Sequence, residues 1–248
     1  MTSRWKTYYN SWKKYLRWIG WGMSAAALAY LVYKLYTYPD YRQLNLYLHT
    51  AGTTDWYCLT AAVLLIPVQL LAEARRWQWT LHGWKKISPR TSWQHVLTGL
   101  IAGFITPYRA GDIPARLCMA GMDDAQCTMH DENTNWHTWL HDWKKWFPVL
   151  LWTVIRYLIW GLQLWAVMTF VHIHLSPLQA LSSIALYYLV ISIMPGLPAA
   201  DVALKGGWAV IIFEQYTDNI PAIAIAVSII WLINTILPVL FASIKKFL

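Results

Sequence analysis

The sequence has few charged residues, few cysteines and few glycines for its length. Only 13% of its 248 residues are Asp, Glu, Lys or Arg, whereas soluble domains carry about 25%. The three cysteines are an odd number and show no paired CxxC spacing, so neither a disulfide framework nor a zinc site is indicated. These shortages exclude an ordinary soluble domain, a disordered chain and a disulfide scaffold.

Apolar and aromatic residues are abundant instead. The hydrophobic share is 57%, and the chain has 18 Trp and 15 Tyr, residues that concentrate at membrane–water interfaces. The net charge of +8 comes from basic residues at the ends of apolar runs, where they anchor a protein against anionic lipid. No basic stripe lies on a polar fold, so a nucleic-acid partner is not expected. The composition therefore predicts an integral membrane protein.

Long apolar segments define the predicted topology. We predict an all-α polytopic helix bundle, a single transmembrane domain over residues 1–248, with five or six spanning helices and two broken or re-entrant segments. Basic residues at 4–17 and 75–90 predict that the N-terminus is cytoplasmic, and the absence of a small-residue cleavage site predicts that the first span is retained. The predicted spans cover residues 18–38, 55–72, 147–171, 177–194 and 220–244; the broken segments cover residues 93–107 and 195–213.

One long polar loop, residues 121–146, interrupts these segments. It contains Trp136, Trp139, Trp143 and Trp146, whose spacing places four indoles on one helical face. We interpret this as an interfacial helix lying along the membrane surface. His137 and His141 share a turn of the same stretch but lack the HExxH pattern, so they are interpreted as interfacial polar residues, and no metal or other cofactor is expected.

The two broken segments echo each other. Each has an apolar helix, a proline break, small residues, and then an acid with a base four residues later, a spacing that allows pairing across one helical turn. The pairs are Asp112 with Arg116 and Asp201 with Lys205. The backbone breaks fall at Pro107, Gly111, Pro195, Gly196 and Gly206.

Such breaks have a physical consequence in a membrane. Lipid cannot satisfy the backbone groups that they free, so they persist only inside protein or beside a watery cavity. Helix N-termini there attract anions, and Arg109, Arg116 and Lys205 add positive charge. Arg156, well inside an apolar run, is predicted to face the interior and pair with an acid such as Asp112, Asp201 or Glu214. The alternative is that both echoes are loop turns with surface ion pairs.

Several of these motifs resemble the lysylphosphatidylglycerol synthase transmembrane-region family, the flippase-like membrane proteins. Residues 103–116 resemble its Pro–Arg–x–Gly–acid…Arg motif, and residues 201–206 resemble its second acidic motif, although Ala203 stands where Gly is usual. Glu73 to Trp77 and Arg156 to Leu158 with Gln163 resemble its arginine–tryptophan and arginine-led helices. The polar stretch at 121–145 replaces an apolar hairpin, and the aminoacyl-transferase domain of full synthases is absent.

The resemblance implies a flippase-like protein of the bacterial inner membrane. It would bind or translocate a lipid with an anionic or zwitterionic headgroup, using Arg109, Asp112, Arg116, Arg156, Asp201 and Lys205. Two alternatives stay open: a membrane-embedded lipid-modifying transferase with Asp112 or Asp201 as base, or its non-catalytic partner subunit. The chain lacks a nucleophile elbow or P-loop, so enzyme activity is not expected. Expected partners are membrane lipids and, beyond them, a separately encoded transferase or further copies of the chain.

Overall fold

The structure is a computed structural model that describes residues 26, 29–37, 52–82, 85–106, 110–121, 143–193 and 201–247. These residues form helices and connecting turns, with no strand among them, which confirms the all-α class for this part of the chain. A helical stretch at residues 29–36 comes first. It is followed by α1 (Thr53–Leu81), α2 (Pro89–Ile105), α3 (Asp112–Met119), α4 (Trp143–Phe170), α5 (Pro177–Ile193), α6 (Asp201–Phe213), α7 (Ile220–Trp231), a π-helical turn (Leu232–Ile236) and α8 (Leu237–Phe247).

Three helices of the described residues are long and apolar enough to cross a membrane. They cover Thr53–Leu81, Trp146–Phe170 and Ile220–Ile244, and the shorter apolar helix α5 accompanies them. Their outer faces expose large aliphatic side chains such as Leu64, Leu158 and Leu240, as expected where lipid is the solvent. Three candidate spans support a membrane protein; the total of five or six stays a prediction, because most of residues 18–38 lies outside the described residues.

By contacts, the chain divides into two compact units. Unit one comprises Met1–Cys58 with Val167–Ile229, and unit two comprises Leu59–Ala166 with Ile230–Leu248. This division does not test the prediction of a single transmembrane domain over residues 1–248, which stays a prediction.

The core of unit two is formed by α1, α2, α3 and α8. Ser88 caps α2 by accepting from the backbone N–H of Thr91 at 3.1 Å, and the following Pro89 suits the first helical turn. Ser92 of α2 donates to the carbonyl of Ala74 on α1. The apolar core comprises Leu70, Ala74, Trp77, Leu81, Val96, Leu97, Leu100, Ala120 and Ala242.

The turn from α2 to α3 has no room for a side chain at Gly111. Its N–H donates to Oγ1 of Thr106 at 2.8 Å, and that hydroxyl donates to the carbonyl of Ala102 at 2.8 Å. A Cβ at Gly111 would lie 2.9 Å from the same carbonyl. This turn sets the position at which α3 begins.

In unit one, α5 packs against α6, and α6 packs against the stretch at 29–36. The rings of Tyr187 and Phe213 lie 6.0 Å apart. Leu31 lies so close to α6 that a Cβ at Gly206 would be 3.3 Å from its Cδ2. Tyr30 donates its hydroxyl to both oxygens of Glu214, at 2.8 and 2.7 Å.

Two helices differ from the sequence predictions. Helix α1 continues through the charged residues after Ala72 to Leu81. Glu73 pairs with arginines of two other helices, whereas Arg75 and Arg76 pair with Gln78 and Glu73 of α1 itself. The last span contains a π-helical turn, in which the N–H of Leu237 bonds to the carbonyl of Leu232. Pro238 is the second residue after this turn and has no N–H to donate to the preceding turn.

Candidate functional site

Five charged side chains of unit two form one connected group, which we call the ionic cluster. It consists of Glu73 and Arg76 on α1, Asp112 and Arg116 on α3, and Arg156 on α4. These residues come from three separate stretches of the chain, so tertiary packing assembles them.

Glu73 is the centre of the ionic cluster. Its Oε1 accepts from Nη2 of Arg76 and from Nη1 of Arg116, both at 2.7 Å. Its Oε2 lies 3.0 Å from Nη1 of Arg156. One carboxylate, with only 6% of its side chain exposed, therefore pairs with three guanidinium groups.

Arg116 links Glu73 to the second carboxylate. Its Nε donates to Oδ1 of Asp112 at 2.6 Å and its Nη2 donates to Oδ2 at 3.0 Å. This two-pronged pairing is the geometry that a planar guanidinium makes best with a carboxylate. The predicted Asp112–Arg116 pair is thus confirmed, and the structure adds Glu73 as a further partner.

Three guanidinium groups lie with two carboxylates in the ionic cluster. Aromatic faces lie beside two of the cations: Arg116 is 5.5 Å from the ring centre of Trp77, and Arg156 is 4.1 Å from that of Trp160. Such faces attract a cation when water is scarce.

Exposure divides the ionic cluster into an inner and an outer part. The side chains of Glu73 and Arg116 are 6% and 5% exposed, whereas that of Arg76 is 31% exposed. Asp112 and Arg156 are intermediate. A ligand approaching from outside would therefore reach the Arg76 edge first.

Gly99 on α2 allows the Asp112–Arg116 pair to lie directly against the helix backbone. A Cβ there would overlap with Oδ1 of Asp112 and would lie 2.5 Å from Nε of Arg116. Behind it, Nδ1 of His95 on the same helix accepts from Nε1 of Trp77 at 3.3 Å, which orients the indole beside Arg116. The glycine and the indole are positioning residues of the cluster.

The second predicted pair is present but lies in unit one. Nζ of Lys205 donates to Oδ2 of Asp201 at 2.7 Å, which confirms that these residues pair across one turn. The two pairs belong to different units, so their convergence on one cavity stays a prediction.

Several predicted residues lie outside the described residues. They are Pro107, Arg109, Pro195 and Gly196, together with Trp136, Trp139, His137 and His141. Of the predicted indole face, Trp143 and Trp146 lie at the start of α4 with ring centres 4.2 Å apart. Gly206 lies within α6, and the described residues contain no group of three or more His, Cys, Asp or Glu placed to hold a metal.

Sequence reasoning did not predict that Glu73 is the organising acid, nor that Arg76 joins it. The sequence predicts that Arg156 pairs with an acid such as Asp112, Asp201 or Glu214, and the structure shows it in an ion pair with Glu73. The available signal was that Glu73 is a lone acid at the polar end of an apolar run. A buried arginine in another apolar run requires such an acid.

The chain matches no family model, no curated protein and no solved structure. The resemblance to the flippase-like family therefore stays an expectation drawn from its motifs.

Proposed function

We propose that the protein is a membrane-embedded, flippase-like protein whose ionic cluster binds the anionic headgroup of a lipid and passes it across the bilayer. The observation that carries this proposal is a largely buried group of three guanidinium groups around Glu73, with members on two candidate membrane spans. Charged groups at membrane depth are costly and typically belong to substrate pathways.

The chemistry of the cluster suits a phosphate headgroup. Guanidinium groups bind phosphate oxygens with paired N–H donors, and Arg76 is the most exposed of the three. Its ion pair with Glu73 uses Nη2, so its other N–H groups can bind a phosphate oxygen while Glu73 keeps its place. The acyl chains would stay in lipid beside the exposed aliphatic faces.

Passage requires that binding be reversible. Asp112 competes with a phosphate for Arg116, because its two oxygens already occupy Nε and Nη2 of that side chain. The carboxylate can thus return to Arg116 when the headgroup leaves, which avoids an unpaired buried cation. We propose that Asp201 and Lys205 of unit one act as the corresponding pair at a later step of headgroup passage.

A lipid-movement assay tests the proposal. The purified full chain is reconstituted into phosphatidylcholine vesicles containing a trace of fluorescent phosphatidylglycerol, and dithionite bleaches the outer leaflet. Protein-dependent movement makes the inner-leaflet probe accessible as well. We expect movement of phosphatidylglycerol and slower movement of fluorescent phosphatidylcholine, whose choline ammonium offsets the phosphate charge.

Arg75 provides a matched control for Arg76. Both are half-buried arginines at the same end of α1, but Arg75 donates to Gln78 at 3.3 Å instead of joining the ionic cluster. Arg76→Gln should slow movement and weaken retention of phosphatidylglycerol in detergent, while Arg75→Gln should leave both unchanged. Equal effects of the two substitutions, or movement that matches empty vesicles, would contradict the proposal.

A further inference from the structure

His95 is a buried histidine that joins three helices of unit two. It lies on α2 and is only 2% exposed. Its Nδ1 lies 3.3 Å from Nε1 of Trp77 on α1, and its ring also bonds to the backbone of Met119 at the end of α3. The ring therefore contacts both the indole that lies beside Arg116 and the helix that carries Arg116.

The contact with Trp77 fixes the charge of the His95 ring. An indole N–H can donate but cannot accept, so Nδ1 of His95 accepts and carries no proton. A backbone carbonyl can only accept, so the bond to Met119 comes from the other ring nitrogen, Nε2, which carries the proton. These contacts are thus possible only for a neutral imidazole in one of its two tautomers.

The surroundings of this ring oppose a second proton. Among the described residues, the charged groups that act on it are two cations, Lys85 before α2 and Arg116 on α3. The acids of the ionic cluster, Glu73 and Asp112, are already paired with Arg116. Helix α8, which also packs on α2, has no titratable side chain at residues 237–244. A second proton would therefore add a positive charge beside two others on an almost fully buried ring, which is unfavourable.

A proton on Nδ1 would break the contact between His95 and Trp77. Two donors, Nδ1–H and the indole N–H, would then face each other across 3.3 Å, so one of the two side chains has to move. Either movement removes the bond that orients the indole, whose ring centre lies 5.5 Å from the guanidinium carbon of Arg116. The protonation of His95 is thus linked to the surroundings of Arg116.

We propose that His95 is a positioning residue whose protonation releases Trp77 from its place beside Arg116 and thereby weakens headgroup binding at the ionic cluster. The release of Trp77 depends only on the contacts of His95, whereas the effect on the headgroup rests on the proposed function. The released state binds one proton more than the assembled state, so a fall in pH favours release. Headgroup binding is therefore present at neutral pH and is lost in acid.

Solid-state NMR of the full chain tests the release of Trp77. The protein, labelled with 15N at histidine and tryptophan, is placed in phosphatidylcholine vesicles and titrated from about pH 8 to about pH 5, the range in which an imidazole changes its charge. His95→Asn and Trp77→Phe assign the signals. We expect magnetisation transfer from the indole proton to an unprotonated Nδ1 at the upper pH, and a protonated Nδ1 without transfer at the lower pH. An Nδ1 that is protonated at the upper pH, or a transfer that persists at the lower pH, would overturn the proposal.

Two substitutions separate the two contacts of the ring. The amide of His95→Asn reaches the position of Nδ1 and can still accept from Trp77, but it does not titrate. The amide of His95→Gln reaches the position of Nε2 and can still donate to Met119, but it leaves the indole without its acceptor.

Retention of phosphatidylglycerol in detergent, measured over the same titration, gives the functional readout. In the unsubstituted chain we expect retention to fall about two- to tenfold toward the lower pH, the factor that one net hydrogen bond contributes. Retention should stay high at every pH in His95→Asn and low at every pH in His95→Gln. Equal weakening by both substitutions would indicate a merely structural histidine and would contradict the proposal.

His82→Asn is the matched control. The ring centre of His82 lies 5.2 Å from that of Trp79, but His82 is exposed just after α1 and lies outside the ionic cluster. This variant should keep the pH dependence of the unsubstituted chain. A pH dependence that survives His95→Asn, or that disappears in His82→Asn, would overturn the proposed link to the headgroup. Failure to retain phosphatidylglycerol at any pH would contradict the proposed function instead, and the NMR titration then tests the release of Trp77 by itself.

Discussion

The two acid–base pairs share one sequence pattern but have different surroundings. Asp112–Arg116 and Asp201–Lys205 each join an acid to a base four residues later. Arg116 is 5% exposed, makes two bonds to Asp112 and reaches Glu73 as well. Lys205 is 31% exposed and donates one hydrogen bond to Asp201.

This difference shows that spacing alone does not decide what an ion pair contributes. A half-exposed pair in high dielectric contributes about 0–1 kcal/mol. A buried, connected group is different, since removing one member leaves a charge that water cannot solvate. We therefore expect unit two to be more sensitive to substitution than unit one, and four tests with seven substitutions can check this contrast.

Loss of Glu73 should have the largest effect. Glu73→Gln leaves three guanidinium groups with one carboxylate and should lower the free energy of unfolding by about 3–5 kcal/mol. The control is Glu214→Gln, whose half-exposed partners are Tyr30 and Lys34 and whose cost should stay near 1 kcal/mol or below. Unfolding by dodecyl sulfate in mixed micelles, followed by circular dichroism, measures both losses of free energy. Similar losses for the two variants would contradict the contrast between the units.

Replacing the base of each pair by the other basic residue should give the next largest effect on the free energy of unfolding. Arg116→Lys loses the planar fork, so one ammonium cannot serve both Asp112 and Glu73 in the same way, and we expect a loss of about 1.5–3 kcal/mol. Lys205→Arg should change stability by less than about 0.5 kcal/mol. The same dodecyl sulfate titration measures both variants. An unchanged free energy of unfolding for Arg116→Lys would contradict the observed geometry of Arg116.

A methyl group tests the packing beside each pair. Gly99→Ala places Cβ against Asp112 and Arg116, with only 2.5 Å to Nε of the arginine, and should cost about 1–3 kcal/mol through overpacking. Gly206→Ala, next to Lys205 in the sequence, meets Cδ2 of Leu31 at 3.3 Å, and a slight shift of that flexible side chain relieves the contact. Thermal unfolding in detergent should show a clear fall in Tm for the first variant and little change for the second.

The smallest effect is expected at Asp201. Asp201→Asn should cost less than about 1 kcal/mol, and raising the salt concentration to 1 M should bring the unsubstituted protein close to the variant, because screening then acts within about 3 Å. A salt-independent difference measured by unfolding titration would instead place Asp201 with the buried charges.

Local patterns predicted the parts of this molecule that depend on neighbours in sequence. The apolar runs indicated helices α1, α4 and α5, and the four-residue spacing indicated both ion pairs. The pairing of Glu73 with Arg116 spans 43 residues, and no periodicity encodes which of several acids a distant arginine meets.

The same limit applies to Gly99. No pattern in the apolar segment 93–107 distinguishes this glycine, because its role depends on α3 folding back against α2. No sequence pattern predicts the π-helical turn in the last span either, because its apolar residues continue the pattern of both flanking helices.

The position of Glu73 ahead of its distant partners has a consequence for biogenesis. Translation produces α1 before α3 and α4, so the carboxylate is already available when Arg116 and Arg156 emerge. An arginine at the centre of an inserting helix costs about 2.5–3.5 kcal/mol, and an acid waiting on an earlier helix can offset much of that cost at the moment of insertion. The chain order thus provides Arg156, which lies within a candidate membrane span, with a counter-ion on an earlier helix.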